Sequence, residues 1–305
     1  MKSSTPKKEL EGLVCAIVTP FDKRSEQIDK YSLRSLCQFL IKKGIEGLYP
    51  CGTNGEFLLL TLQERKLVAE IVMDEVEEQL PIVIHCGATT TKQTIELVAH
   101  ASHIGASGAG IIVPPFYPLD GRAIEEHFKA IAHSVPDFPL YLYNIPSYSQ
   151  NDLTPEMARR IFNSQHCFVG IKYSGTRLRR LVQYINIIPE AKVFIGCDGL
   201  IFSALELGAA GTVSGTCMCF PELFASLFSS FRQGKLEKAK KIQDQVSRIS
   251  RPFEALPVIS SFKEILRMKG IINYATCRAP LRQPTSEEKD TLGKLIEEAN
   301  KLCTD

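Results

Sequence analysis

The sequence predicts an α/β chain folded as a (β/α)8 barrel with a C-terminal three-helix extension. Three observations predict it. Strand-like and helix-like stretches alternate strictly, eight of each, over about 230 residues, the expected size of a closed barrel. Such alternation requires right-handed crossovers and hence a parallel sheet. The strand-like runs are continuously apolar rather than alternating, as happens when both faces of a sheet are covered. An open doubly wound sheet is the alternative, but no Gly-x-Gly-x-x-Gly follows the first strand.

Short apolar runs rich in β-branched and aromatic residues give the strands: Leu13–Thr19, Gly47–Cys51, Pro81–Cys86, Gly110–Val113, Pro139–Tyr143, Val169–Lys172, Val193–Gly196 and Thr212–Ser214. Apolar residues at helical spacing give the helices between them: Ser32–Lys43, Leu62–Glu78, Lys92–Ile104, Ala123–His133, Pro155–Phe162, Leu178–Ile187, Leu200–Leu207 and Pro221–Gln233. Three more helical patterns follow, Leu236–Ser250, Val258–Lys269 and Ser286–Leu302, the last opening on Ser286-Glu287-Glu288, a cap with acids in the first turn. They cannot add to a finished barrel, so they are expected to pack outside it or against another subunit. The domain reading is therefore a disordered lead-in over 1–10, a barrel over 11–233 and a helical extension over 234–305, without a linker that would mark a second independent domain.

Composition narrows the class of function. The 305 residues are 44% hydrophobic and 23% charged with a net charge of +2, an ordinary soluble globular balance that gives no electrostatic case for nucleic acid. The basic stretch Arg177-Leu178-Arg179-Arg180 opens a helical pattern and reads as a solvated helix face. No window approaches the ~18 apolar residues of a membrane span, and the first nine residues lack the apolar core of a secretory signal. The ten cysteines are scattered, several inside apolar strands, and only Cys217 and Cys219 lie close together, without a matching Cys or His pair at zinc spacing. The expectation is a reduced, cytoplasmic protein with no metal and no other cofactor, no nucleic-acid partner and no membrane.

In a (β/α)8 barrel the C-terminal ends of the strands face the active site. The sixth strand ends in Gly170-Ile171-Lys172-Tyr173-Ser174-Gly175. A lysine at the end of a buried strand either snorkels outward along apolar surface or loses water, so that its pKa falls and its amine becomes a nucleophile able to form a Schiff base. The fifth strand supplies Tyr141 and Tyr143 on one face, of which only Tyr143 lies at the end. A phenol there either passes protons or packs as a core aromatic. After the second strand comes Gly52-Thr53-Asn54-Gly55-Glu56, either a nest for an anion or a simple tight turn, with Glu56 a brace or a substrate contact. His85 ends the third strand as a cleft or core histidine. Gly196-Cys197-Asp198-Gly199 ends the seventh as a hydroxyl-binding or turning loop, and Val113-Pro114-Pro115-Phe116-Tyr117-Pro118 is a stiff aromatic loop able to project away from its own barrel.

Thr19-Pro20-Phe21, Gly52-Thr53-Asn54-Gly55-Glu56, Pro115-Phe116-Tyr117, Tyr143-Asn144-Ile145-Pro146, Gly170-Ile171-Lys172 and Arg278-Ala279-Pro280-Leu281 fall in one order and spacing. With these in register from about Leu13 to the C-terminus, the chain resembles the N-acetylneuraminate lyase and dihydrodipicolinate synthase family of Schiff-base aldolases. The resemblance implies that Lys172 forms an imine with pyruvate or another 2-oxo acid, that Tyr143 relays protons with Thr53, and that Asn54 binds the substrate carboxylate through its N–H. It also implies that Tyr117 reaches a neighbouring subunit's site in a homotetramer of paired dimers. Gly52, Gly196, Asp198, Val213 and Tyr148 complete the candidate substrate-binding set.

Three departures bear on the substrate. Dihydrodipicolinate synthases usually carry an Arg where this chain has Tyr148, and Thr where it has Asn54; a phenol cannot replace a bidentate guanidinium. Neuraminate lyases tend to have Asp-Glu where this chain reads Asp198-Gly199. The expected reaction is cleavage of a 2-oxo-3-deoxy sugar acid or a 4-hydroxy-2-oxo acid to pyruvate and an aldehyde, with dihydrodipicolinate synthesis and neuraminate cleavage as alternatives. A dehydratase using the same imine and a silent barrel that binds an oxo acid also remain open.

Overall fold

The structure, a computed structural model, describes residues 9–24 and 27–302; most of the expected lead-in lies outside the described residues. Strands β1 (Gly12–Cys15), β2 (Gly47–Leu48), β3 (Val83–His85), β4 (Gly108–Ile112), β5 (Leu140–Asn144), β6 (Phe168–Tyr173), β7 (Lys192–Ile195) and β8 (Gly211–Ser214) form one 8-stranded sheet. Its neighbours pair in parallel in the order β2-β1-β8-β7-β6-β5-β4-β3. A parallel bridge between Leu48 and Ile82, with the Leu48 N–H donating to the Pro81 carbonyl at 3.1 Å, brings the two ends together and closes the barrel. Closure satisfies the backbone groups that an open sheet would leave at its edges.

The outer layer consists of α1 (Lys30–Lys42), α2 (Leu62–Val76), α3 (Thr91–His103), α4 (Gly121–Ser134), α5 (Pro146–Ser149), α6 (Pro155–Phe162), α7 (Leu178–Ile187), α8 (Ile201–Glu206) and α9 (Pro221–Arg232). Local chemistry sets several starts. Asp29, Thr61, Thr90, Asp120 and Thr154 each accept a hydrogen bond from the N–H three residues on, and Thr61 with Glu64 makes a full capping box. The short α5 has no counterpart in the sequence reading; Pro146 at its first turn turns the chain immediately after β5.

Two apolar layers hold the fold. The main core lies between sheet and helices, while a smaller cluster of Leu10, Val14, Ala16, Tyr49, Val83, Tyr141, Phe194 and Val213 fills the barrel interior. Leu10, assigned by sequence to the lead-in, is buried there. The apolar side chain makes its burial favourable despite the polarity of its neighbours in sequence. Gly110 on β4 faces the same interior, where a Cβ would collide with the Tyr49 phenol; glycine leaves room for that ring.

The extension consists of α10 (Leu236–Ser250), α11 (Val258–Met268) and α12 (Ser286–Leu302). These helices do not simply pack on the outside. Ser250, Phe253, Glu254 and Pro257, together with Val258, Ile259, Ser260 and Phe262 of α11, and Leu281 with Arg282 beyond it, form one wall of the cavity at the barrel mouth. Helical periodicity reports that one face is buried but not against which partner. No described helix is long and apolar enough to cross a membrane.

Candidate active site

The cavity encloses about 900 Å³ at the C-terminal ends of the strands. Lys172 enters it from β6, only 6% exposed, its Nζ 4.3 Å from the centre of the Tyr49 ring and 4.2 Å from that of Tyr143. Burial disfavours the ammonium, whereas the Asp198 carboxylate and the two ring faces favour it. Burial wins, bringing the Lys172 pKa down from 10.5 to about 7. The amine is therefore substantially neutral at physiological pH.

Tyr143, next to the last residue of β5, lies directly beside Lys172, with which its strand position is paired. Its hydroxyl lies 3.3 Å from Thr53 Oγ1. Burial pushes the phenol pKa up, while hydrogen bonds with Thr53 and Ser174 oppose the shift. The group stays protonated and can donate to, or accept from, a reacting atom. Gly196 belongs to the same arrangement, since a Cβ there would collide with Ser174 Oγ. Tyr141, two residues earlier on β5, lies deeper, edge-on to Phe194 with ring centres 6.2 Å apart. Strand alternation puts both tyrosines on one face, and depth assigns their roles.

The β2 loop approaches from the opposite side. Asn54 Nδ2 donates to the Ala16 carbonyl at 3.1 Å, fixing the loop to the end of β1, while Asn54 itself still lines the cavity. Asp198 is drawn in from the loop after β7. Burial raises its carboxyl pKa, against the opposing effects of the Ser214 and Thr216 hydroxyls and of Lys172. Val213, Gly196 and Tyr148 also line the cavity, Tyr148 on α5 at the rim with 62% of its surface exposed.

Two of the sequence candidates do not join the cavity of their own chain. Gly52 packs under the loop, where a Cβ would lie 3.2 Å from the Tyr49 ring, so it makes room for that ring rather than lining the cavity. Tyr117 is 70% exposed beside Phe116, their rings edge-on at 5.0 Å. Asn151 holds this aromatic loop in place, donating to the carbonyls of Pro114 at 2.7 Å and Tyr117 at 2.8 Å.

Other residues found here were missed by sequence reasoning. Tyr49, the second ring against the amine, lies just beyond β2 and two residues after Gly47; Ser174 lies two residues after Lys172. Strand alternation was the available signal for both. The wall from the extension had no such signal, because it depends on contacts distant in sequence.

His85 forms part of the floor rather than the lining. It packs edge-on to Phe57 at 4.6 Å and to Tyr143 at 5.9 Å, with Nδ1 2.9 Å from the Cys51 carbonyl. Burial, together with the charges of Arg65 and Lys172, pushes its pKa well below 6.5, so the ring is neutral. Arg65 donates to the His85 carbonyl at 2.6 Å and to the Gly87 carbonyl at 2.8 Å, tying α2 to the end of β3.

Glu56 is a brace. It is 3% exposed, has a left-handed φ of 59°, and forms an ion pair with Lys263 of α11, itself fully buried. Its other carboxylate oxygen accepts the Arg278 N–H at 2.9 Å. Removing one partner from a buried pair costs roughly 3–5 kcal/mol, because the other charge is left uncompensated.

Among the described residues, no three His, Cys, Asp or Glu side chains converge as a metal site. The described cysteines are free thiols, all buried except Cys197.

A near-neutral amine at the mouth of a (β/α)8 barrel, beside a protonated phenol in contact with a hydroxyl, is the equipment of an enzyme that captures carbonyl compounds. The Dihydrodipicolinate synthetase family model matches residues 9–299, and the chain belongs to that family of lyases. An uncharacterized DapA-like lyase of Halobacterium salinarum is 33% identical over 283 residues, covering 93% of this chain and 92% of its own. A probable 2-dehydro-3-deoxy-D-pentonate aldolase of Escherichia coli is 28% identical over 294 residues, covering 95% and 97%. The structure of YagE, a prophage protein of the dihydrodipicolinic acid synthase family from Escherichia coli in complex with pyruvate, superposes with a TM-score of 0.91 at 28% identity, covering 95% of this chain and 98% of that one. Relatives named 4-hydroxy-tetrahydrodipicolinate synthase and N-acetylneuraminate lyase reach 31% and 28% identity.

Proposed function

We propose that this enzyme is a class I aldolase that cleaves a 2-oxo-3-deoxy sugar acid to pyruvate and an aldehyde through an imine on Lys172. The observation that carries the reading is the Lys172 amine, buried between two phenol rings with its pKa near 7. The neutral amine attacks the ketone carbon, and uptake of one proton with loss of water leaves a protonated imine. That cation withdraws electrons, so the bond between the third and fourth substrate carbons breaks to give an enamine and the aldehyde. For this to happen the hydroxyl on the fourth carbon must lose its proton, which Tyr143 takes as it passes its own proton on through the Thr53 hydroxyl, and one proton returns by the same route to the enamine carbon. Protonation of the enamine carbon and hydrolysis then release pyruvate and restore the amine. The N–H groups of Thr53 and Asn54 are assigned to the carboxylate. Gly196, Val213, Asp198 and Tyr148 are assigned to the remainder of the chain.

The charge of the mouth supports a neutral sugar-like end over an acidic one. The residues lining the outer cavity include the carboxylates Asp198 and Glu254 and the hydroxyls of Ser147, Tyr148, Thr176 and Ser250. Besides Lys172 the cation lining it is Arg282, whose two Nη atoms each donate to Glu288 at 2.7 Å. A partner aldehyde with its own carboxylate would meet no uncommitted guanidinium there. A screen of 2-oxo acids for pyruvate release tests this reading: polyhydroxylated substrates with one carboxylate should give a higher kcat/KM than 4-hydroxy-2-oxoglutarate. Condensation of pyruvate with aspartate semialdehyde should be slower still. Tyr148→Arg should raise kcat/KM for that condensation by about tenfold, the worth of one bidentate pair at an exposed rim site. Faster condensation than cleavage in the unmodified enzyme would favour the synthase reading instead.

The state of the amine sets the pH dependence. Below pH 7 Lys172 is protonated and cannot attack, so adduct formation should rise about 100-fold from pH 5 to pH 9, with half of the rise near pH 7. Borohydride trapping of pyruvate at fixed times measures it; a midpoint near 10 would mean that the amine is hydrated rather than buried. We assign the rigid, exposed Phe116–Tyr117 pair to a contact with a second copy of the chain in a homotetramer, and the solution mass tests this assignment.

A further inference from the structure

We propose that Lys263 is a positioning residue which, through Glu56, holds Thr53 against the Tyr143 phenol. The inference rests on the proton-relay reading of Tyr143 and Thr53 given above. Neither Lys263 nor Glu56 lines the cavity, so neither touches substrate. Their connection to the relay is nevertheless short. The Glu56 N–H donates to the Thr53 carbonyl at 3.1 Å, so the residue that carries the buried carboxylate also closes the turn that carries Thr53.

Among the described residues, the carboxylate itself is held from α11 and from the segment between α11 and α12. Lys263 Nζ pairs with Glu56, donates to the Thr276 carbonyl at 2.8 Å and lies 4.2 Å from the Phe21 ring centre. The Arg278 N–H holds the second Glu56 oxygen at 2.9 Å. The turn is also tied to β1 and the loop after it, by Asn54 Nδ2 donating to the Ala16 carbonyl at 3.1 Å and Thr19 Oγ1 donating to the Gly55 carbonyl at 2.9 Å, but neither bond engages the Glu56 carboxylate. The relay contact itself is a single long hydrogen bond of 3.3 Å between two rotatable hydroxyls. Nothing in that contact would hold the loop in register, and an unbraced residue with φ near 59° would relax toward the ordinary regions of backbone space. A charge-assisted bond buried away from water is directional and resists this relaxation.

The placement also explains why an extension follows a complete barrel. Helix α11 turns Val258, Ile259 and Phe262 toward the cavity and Lys263 toward the β2 loop, so one helix both walls the mouth and grips the loop beneath it.

A double-mutant cycle on Lys263→Met and Thr53→Val tests the proposal with pyruvate alone as the probe. Borohydride-trapped adduct reports imine formation, and exchange of the pyruvate methyl protons for deuterium reports the proton relay. If Lys263 acts through Thr53, Lys263→Met lowers the exchange rate about tenfold alone but less than about twofold when Thr53 is already valine. The trapped adduct should persist in every variant. Should Lys263→Met not fold, Glu56→Gln/Lys263→Met, which leaves no unpaired buried charge, takes its place in the cycle with the same expectation. Factors that multiply in full would make Lys263 merely structural and overturn the proposal while leaving the Lys172 mechanism standing. Absence of any adduct in the unmodified enzyme would overturn both.

Discussion

Lys172→Met will give no borohydride-trapped pyruvate adduct and no measurable turnover, in a protein more thermally stable than the parent at neutral pH. Methionine keeps an apolar stem between Tyr49 and Tyr143, so the packing of the mouth survives. The gain in stability follows from linkage. Folding moves the Lys172 pKa from 10.5 to about 7, so between those values the unfolded chain binds a proton that the folded chain does not. Stability of the parent therefore rises with pH through that window, by up to about 1.4 kcal/mol per pH unit, and is lowest below pH 7, where the buried amine must carry its charge. The variant lacks this slope. Thermal melts of both proteins across pH 6–10, with mass spectrometry after borohydride treatment, measure both halves of the prediction. Retained turnover would refute the imine mechanism, and a parallel pair of stability curves would refute the burial of the amine.

Tyr143→Phe will lower turnover by roughly two to four orders of magnitude while leaving the fold intact. The ring face against Lys172 is retained, as is the edge contact with Tyr49 at 6.2 Å, and only the hydroxyl near Thr53 is removed. The loss should appear in kcat rather than in KM for the 2-oxo acid substrate, because the phenol moves protons during reaction and does not hold the carboxylate. Circular dichroism and steady-state kinetics check it. Loss of folded structure with activity retained in the folded fraction would instead assign the tyrosine to the core. The two variants separate the chemical roles: without the amine no adduct forms at all, whereas without the phenol the adduct forms and its protons move slowly.

How far the site was legible in the sequence depended on distance along the chain. The bounds of α6 and α7 agree with the sequence reading, because each has a local period and α6 a Thr-Pro start. The ends of β1 and β2 were read too long, since the apolar run continues past the last ladder bond into residues buried without pairing. Lys172 and Tyr143 were singled out because each stands at or next to a strand end, where a barrel places its site, and Thr53 from the loop after β2; the structure brings all three to one cavity. Asp198 and Val213 were found in the same way, and both line the cavity. Tyr117 stands exposed on an outward loop, and Gly52 was misread because a glycine that makes room for a ring looks the same in sequence as one that admits a ligand.

Sequence alone determined the repeating strand–helix order and which side chains stand at the strand ends, because hydrophobic period and turn chemistry act over a few residues. Only the tertiary structure decided what those side chains do. It put Tyr143 within 3.3 Å of Thr53, 90 positions away, and closed the Lys263–Glu56 pair across 207 positions. It also turned the C-terminal helices into a wall of the mouth. The neutrality of Lys172 arises at the same level, because the removal of water that lowers its pKa is done by the whole barrel and not by any neighbour in the chain.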